Sequence, residues 1–147
     1  MLDITQYHVP APTLARSYRL ALVTDLHNCP YRRLLDAIRA QNPDAVVISG
    51  DLLGNLDTRG AQSLAFLREL TPDFPVFYAL GNHERLLDDA AHRVIRETGA
   101  VLLVNETATF GELCIGGLAP DLREQKDIIG KKQIWCRELK RLYGRGG

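Results

Sequence analysis

Cysteine is scarce and poorly spaced for a structural role. The chain has three, Cys29, Cys114 and Cys136. They are odd in number and contain no CxxC pair, which argues against a zinc knuckle and fits a reducing compartment. Cys29 reads as a small buried or half-buried thiol. Long apolar runs are missing as well: nothing near the N-terminus approaches the ~18 residues of a membrane span. The first twenty residues instead carry Asp3, Gln6, His8, two prolines and two arginines, so neither a leader nor a span is expected there. The protein is therefore read as soluble and cytoplasmic. An excess of one charge is also absent, because 18 basic residues balance 18 acidic ones; this gives no electrostatic footprint for a specific nucleic-acid partner. There are no internal repeats and no low-complexity tracts.

What is present describes an ordinary globular chain. With 147 residues and 46% hydrophobic content, one domain with a core of its own is the simplest reading. Composition shifts near residue 121: residues 1–121 hold 10 basic and 15 acidic side chains, and residues 122–147 hold 8 and 3. The expected division is thus a core over 1–121 and a basic, divergent tail over 122–147. The tail carries Trp135, Leu139 and Leu142 on one side of a helix packed on the body.

Strand and helix patterns alternate. Residues 3–9 suggest a short edge strand stopped by Pro10 and Pro12, and 18–24 a first buried strand. Asn28 and Pro30 mark the start of a helix bearing Tyr31, Leu34, Leu35 and Ile38 at i, i+3, i+4, i+7 spacing. Ala45-Val46-Val47-Ile48 reads as a strand buried on both faces. A second helix, capped by Asp57 or Thr58, carries Leu64, Leu67 and Leu70. A third strand over 75–80 precedes a third helix with the stripe Leu87, Ala90, Ala91, Val94 and Ile95, ended by Gly99. A fourth strand over 101–104 and a hairpin over 107–117, around Gly111, complete the pattern. The fold class is α/β: a parallel-dominated sheet with flanking helices joined by right-handed crossovers.

Three successive strands run into polar residues suited to metal: Asp25 and His27, then Gly50-Asp51, then Gly81-Asn82-His83-Glu84. Side chains two apart on extended chain point the same way, which aims Asp25 and His27 together. In a parallel sheet all three strand ends share one edge, where ligands bind in open α/β folds. The glycines let the backbone turn sharply beside whatever is bound. His92, four residues after Asp88, reads as an exposed, ion-paired histidine.

The order D-x-H, G-D, G-N-H-E resembles the calcineurin-like metallophosphoesterase superfamily, in its bacterial phosphohydrolase branch, and the likeness covers roughly residues 3–121. The resemblance implies that Asp25 and His27 bind a first metal, that Asp51 bridges two, and that Asn82 binds the second. It implies that His83 approaches the phosphate and stabilises the leaving oxygen, and that Glu84 supports His83. Two cations about 3.5–4 Å apart would activate water and clamp phosphate oxygens; manganese, iron or zinc suit such mixed nitrogen and oxygen ligands.

The chain departs from the family in two respects: Gly54 stands where members often carry an acidic residue after Gly50-Asp51, and the C-terminal motifs are absent. Its four histidines are His8, His27, His83 and His92, with none later, so the family's lone C-terminal histidine and G-H-x-H motif are missing. It looks like the N-terminal portion of a four-layer α/β/β/α sandwich. By ligand count a first site would bind metal weakly, and a second would need water, phosphate or another chain. The expected function is a metal-dependent phosphohydrolase that cleaves phosphomonoesters or phosphodiesters through a metal-activated water. The alternative is a truncated, catalytically weak or inactive metal-binding or regulatory module; a metal-free α/β ligand-binding domain is the third reading. An exposed, unpaired sheet face would favour a homodimer.

Overall fold

Four short apolar segments pair side by side and in parallel, and every functional feature follows from that arrangement. The computed structural model describes residues 2–53 and 60–120. In chain order the elements are β1 (Leu20–Val23), α1 (Arg32–Gln41), β2 (Ala45–Ser49), α2 (Ala61–Leu70), β3 (Val76–Ala79), α3 (Asp89–Glu97), β4 (Val101–Leu103), β5 (Glu106–Phe110) and β6 (Leu113–Gly117). Strands β1 to β4 form one sheet in the order β1-β2-β3-β4, with all three pairings parallel. Strands β5 and β6 form a separate antiparallel pair, the hairpin expected around Gly111.

A sheet whose order simply follows the sequence, with crossovers of one hand, puts every connecting helix on the same face. The core agrees. Val23, Val46, Ile48, Val76, Tyr78 and Leu102 of alternate strand positions pack in one cluster with Leu35 and Ile38 of α1, Phe66, Leu67 and Leu70 of α2, and Ile95 of α3. The opposite face carries Ala45, Phe77 and Leu103, against which Ala108, Phe110 and Ile115 of the hairpin pack. Each large apolar side chain so removed from water contributes about 1.5–3 kcal/mol. The hairpin leaves part of that face open: Leu20, Leu22 and Val101 keep 43%, 70% and 42% exposure. The strands are thus not all buried on both sides, as a parallel sheet alone would suggest.

Several local expectations are corrected. Residues 3–9 form no strand, and Ile4, Tyr7 and Val9 are exposed. Asn28 does not cap α1, whose N-cap is Tyr31 without a side-chain cap bond. Helix α2 begins after Gly60 at φ +64, and the suggested caps Asp57 and Thr58 lie outside the described residues. The stripe on α3 buries only Ile95, and Val94 stays 37% exposed. Asp88 caps this helix by accepting from the Ala91 N–H. His92 is half-buried rather than exposed, and among the described residues its Nε2 is a buried atom without a hydrogen-bond partner; only its backbone N–H meets Asp88, at the carbonyl. Cys29 is exposed and free. The tail helix with Trp135 lies outside the described residues, and so does the 121/122 boundary. No described helix is long and apolar enough to cross a membrane.

Candidate metal centre at the carboxyl edge of the sheet

Because β1, β2 and β3 are parallel neighbours, their carboxyl ends deliver three loops to one edge. The strand order does not reverse there, so the site is not a switch-point crevice of the doubly wound kind. The loops are tied to one another by backbone bonds instead. Asp25 N–H donates to the Gly50 carbonyl (3.4 Å), His27 N–H to Asp51 (3.1 Å) and Asn28 N–H to Leu52 (3.0 Å).

This ladder requires unusual backbone. Asp25, His27, Asn28 and Asp51 all adopt left-handed conformations, with φ of 56°, 50°, 55° and 52°. Such residues cost of order 1–3 kcal/mol each and cluster at functional sites. Asp25 and His27 are therefore brought together by a turn beyond β1 and not by the alternation of an extended strand. Their side chains still meet, with His27 Nε2 3.3 Å from Asp25 Oδ1.

The glycines act through space as well as torsion. A Cβ on Gly50, at φ +91, would lie 2.5 Å from the Gly81 Cα, and one on Gly81 would lie 2.4 Å from both the N and Oδ1 of Asp51. The second and third loops touch backbone to backbone, which only paired glycines permit.

Asp51 sits at the centre of the junction. Its Oδ1 accepts the His83 N–H at 2.9 Å, and ligand atoms of His27, Asp51 and His83 all lie within 4.8 Å of one another. The His27 and His83 rings meet edge to face, 4.7 Å between centroids. Asp25 borders this group through His27, and its Oδ2 accepts the Thr24 hydroxyl at 2.7 Å. That hydroxyl, then His27 and His83, hold the Asp25 carboxyl below the usual carboxylate range against a smaller opposing effect of burial. Asn82 is exposed on the third loop between Gly81 and His83.

Glu84 faces inward. Its carboxylate is fully buried and accepts hydrogen bonds from the N–H groups of Asp51, Leu53 and Gly81 and from the Tyr78 hydroxyl. All four of these partners lie in β3 and the two loops. Burial, and next the neighbouring Glu84 charge, push the Tyr78 phenol far above its ordinary value.

Asn28 serves a helix other than the one it precedes. Its Oδ1 accepts the N–H groups of Gln62 and Ser63 (2.9 and 3.1 Å). It thus caps α2 from the first loop, over 30 residues away in sequence.

A family model for calcineurin-like phosphoesterases matches residues 18–140. The chain belongs to that family. An uncharacterised metallophosphoesterase of Campylobacter jejuni is 27% identical over 124 residues, covering 79% of this chain and 33% of that protein. A transmembrane protein with a metallophosphoesterase domain from Danio rerio is 29% identical over 90 residues, covering 55% and 21%. The chain thus spans a third or less of these two phosphoesterase relatives. Among solved structures, the phosphoesterase YfcE from E. coli aligns at a TM-score of 0.47 and 15% identity, over 65% of this chain and 54% of its own. The phosphopantetheinyl hydrolase PptH from Mycobacterium tuberculosis aligns at 0.47 and 16%, over 88% and 56%.

Proposed function

We propose that this phosphoesterase-family chain is a metal-dependent phosphohydrolase acting on phosphomonoesters or phosphodiesters of small molecules. The observation that carries the reading is the meeting of His27, Asp51 and His83, from three separate loops, with ligand atoms within 4.8 Å of one another. Bonds of about 2.0–2.2 Å to imidazole nitrogen and carboxylate oxygen set ligand–ligand distances near 3–4.2 Å. The group therefore marks where a first-row divalent cation would sit, held by His27 and Asp51 with His83 beside it.

Asp25, His27, Asp51 and Asn82 would hold the metal, with Asp51 shared should a second ion bind. Bound divalent cations supply charge neutralisation of phosphate and a lowered pKa for water. His83 lies close enough to that position for its ring to donate to a phosphate oxygen and stabilise charge on the leaving group. Asp51 holds the His83 backbone, so the imidazole approaches substrate from a fixed direction. Glu84 shapes the loops without reaching the substrate. Manganese is the proposed metal, with iron or zinc as alternatives, and a cytoplasmic location and a homodimer belong to the same proposal.

A second reading is a catalytically weak or inactive metal-binding or regulatory module. It is favoured by the small size of the donor group, in which three side chains, His27, Asp51 and His83, meet among the described residues. In this reading the core over 1–121 binds metal by the half-site, and the basic tail over 122–147 meets a partner. The deciding experiment is hydrolysis of an aryl phosphate with added manganese. The hydrolase reading expects turnover that disappears in Asp51→Asn; metal uptake without turnover selects the module.

A further inference from the structure

Glu84 is the one charged residue among the described buried side chains, and its exposure is 0%. An ionised carboxylate in such a place is tolerable only when its oxygens are satisfied. Oε1 accepts from the Leu53 N–H (2.9 Å) and the Tyr78 hydroxyl (2.8 Å); Oε2 accepts from the Asp51 N–H (2.9 Å) and the Gly81 N–H (2.7 Å). Three of the four donors are backbone amides, and they belong to two different loops. Those loops touch at the paired-glycine contact. One carboxylate thus joins the loop after β2, strand β3 and the loop after β3.

The two groups it fixes are Asp51 and His83. Its bond to the Asp51 N–H holds that residue at φ +52. Its bond to the Gly81 N–H anchors the turn that carries His83. Asp51 then closes the circuit by accepting the His83 N–H. Glu84 itself stands outside the mutual donor group of His27, Asp51 and His83, so it is neither a ligand nor a group that touches phosphate. An apolar residue of similar size would fill the volume but strand three amide donors, each at about 1–3 kcal/mol.

We infer that Glu84 is a positioning residue, a buried anionic clamp that holds the loops of Asp51 and His83 together and so sets metal affinity from outside the site. The inference rests on the proposed metal site. Its test has one readout that does not: exchange of the Asp51, Leu53 and Gly81 amide protons.

The full chain, wild type and Glu84→Gln, is compared by amide hydrogen exchange, by Mn2+ titration and by circular dichroism. The amide of Gln presents an NH2 to backbone donors and loses at least one acceptor. The expected result is exchange at Asp51 and Gly81 about tenfold or more faster, an intact helical signal, and Mn2+ binding weakened by roughly 10–100-fold, the range for residues that orient ligands. Loosened amides with Mn2+ affinity unchanged within about twofold would make Glu84 merely structural and overturn the inference. Unchanged exchange would overturn it whatever the metal does. If wild type takes up no Mn2+ while Glu84→Gln still frees both amides, the proposed function falls and the part of Glu84 in metal affinity falls with it, leaving a purely structural clamp. Should Glu84→Gln fail to fold, Tyr78→Phe removes one donor and leaves the three amides. A roughly threefold loss of Mn2+ affinity with the fold intact then supports the clamp, and unchanged affinity counts against it.

Discussion

The backbone N–H of His83 donates to Oδ1 of Asp51 at 2.9 Å, across 32 residues of sequence. A side chain proposed to hold metal therefore also holds the main chain of the residue proposed to meet phosphate. Two functions placed on one carboxylate separate under substitution. Asp51→Asn keeps an oxygen for the His83 N–H and removes the charge. Asp51→Ala removes both. We expect both variants to lose Mn2+-dependent hydrolysis of an aryl phosphate by about 100-fold or more, and only Asp51→Ala to lose roughly 1 kcal/mol of stability as well. Paired activity assays and urea melts read the two effects.

Gly81→Ala probes the contact between loops. The added Cβ would meet the N and Oδ1 of Asp51 at 2.4 Å, and both are atoms held by hydrogen bonds. Forcing a methyl into so tight a contact costs typically 1–3 kcal/mol. The predicted outcome is a lower urea midpoint with unchanged slope, and weaker Mn2+ binding, because the displaced group is Asp51 itself. A variant as stable and as metal-competent as wild type would mean that the loops are farther apart in solution.

Asn28→Ala removes the cap that α2 receives from the first loop. Loss of an N-cap acceptor costs typically about 1 kcal/mol. Here two N–H groups, of Gln62 and Ser63, lose their acceptor together. A drop of about 1–2 kcal/mol in urea unfolding is expected, with faster exchange confined to those amides.

The Tyr31 hydroxyl donates to Glu69 at 2.6 Å, and Arg32 completes the group from the same helix end. Tyr31's hydrogen bond first, then Arg32, lower the Glu69 carboxyl below its ordinary 4.5. Glu69 first, then burial, raise the Tyr31 phenol above its ordinary 10.0. For the carboxyl the folded value is depressed, so its stabilising effect is present above pH 4.5 and fades as pH falls through the folded value. For the phenol the folded value is raised, so its effect is present below pH 10 and fades as pH rises through it. The thermal midpoint of wild type should exceed that of Tyr31→Phe most between pH 5 and 9, and the two curves should converge at both ends. A gap that persists unchanged into the acid and alkaline ends would deny the pair this role.

Much of the architecture was legible before any coordinates. Short apolar runs alternating with 3.6-period helices impose a parallel sheet, because each crossover must bury its helix stripe and each strand its faces. The three polar endings, with glycines before Asp51 and Asn82, marked the functional edge for the same reason: parallel strands end together. The misreadings have a common cause. Asn28 looked like a cap for α1 because it precedes that helix, but the turn at φ +55 carries its side chain to α2. Asp25 and His27 were paired by strand alternation, whereas left-handed turns bring them together. Residues 3–9 have strand-like composition but make no strand pairing.

The amino-acid sequence alone determined the fold class, the family motifs and which loops carry clustered polar residues, since these depend on local periodicity and on residue type. Only the tertiary structure decided that the helices share one face, that Glu84 faces inward to bind loop amides, and that His83 stands beside His27 and Asp51. Those outcomes depend on contacts between segments 30 or more residues apart. Their energies come from satisfying buried polar groups, and no pattern along a single chain segment records where the partners of those groups will be.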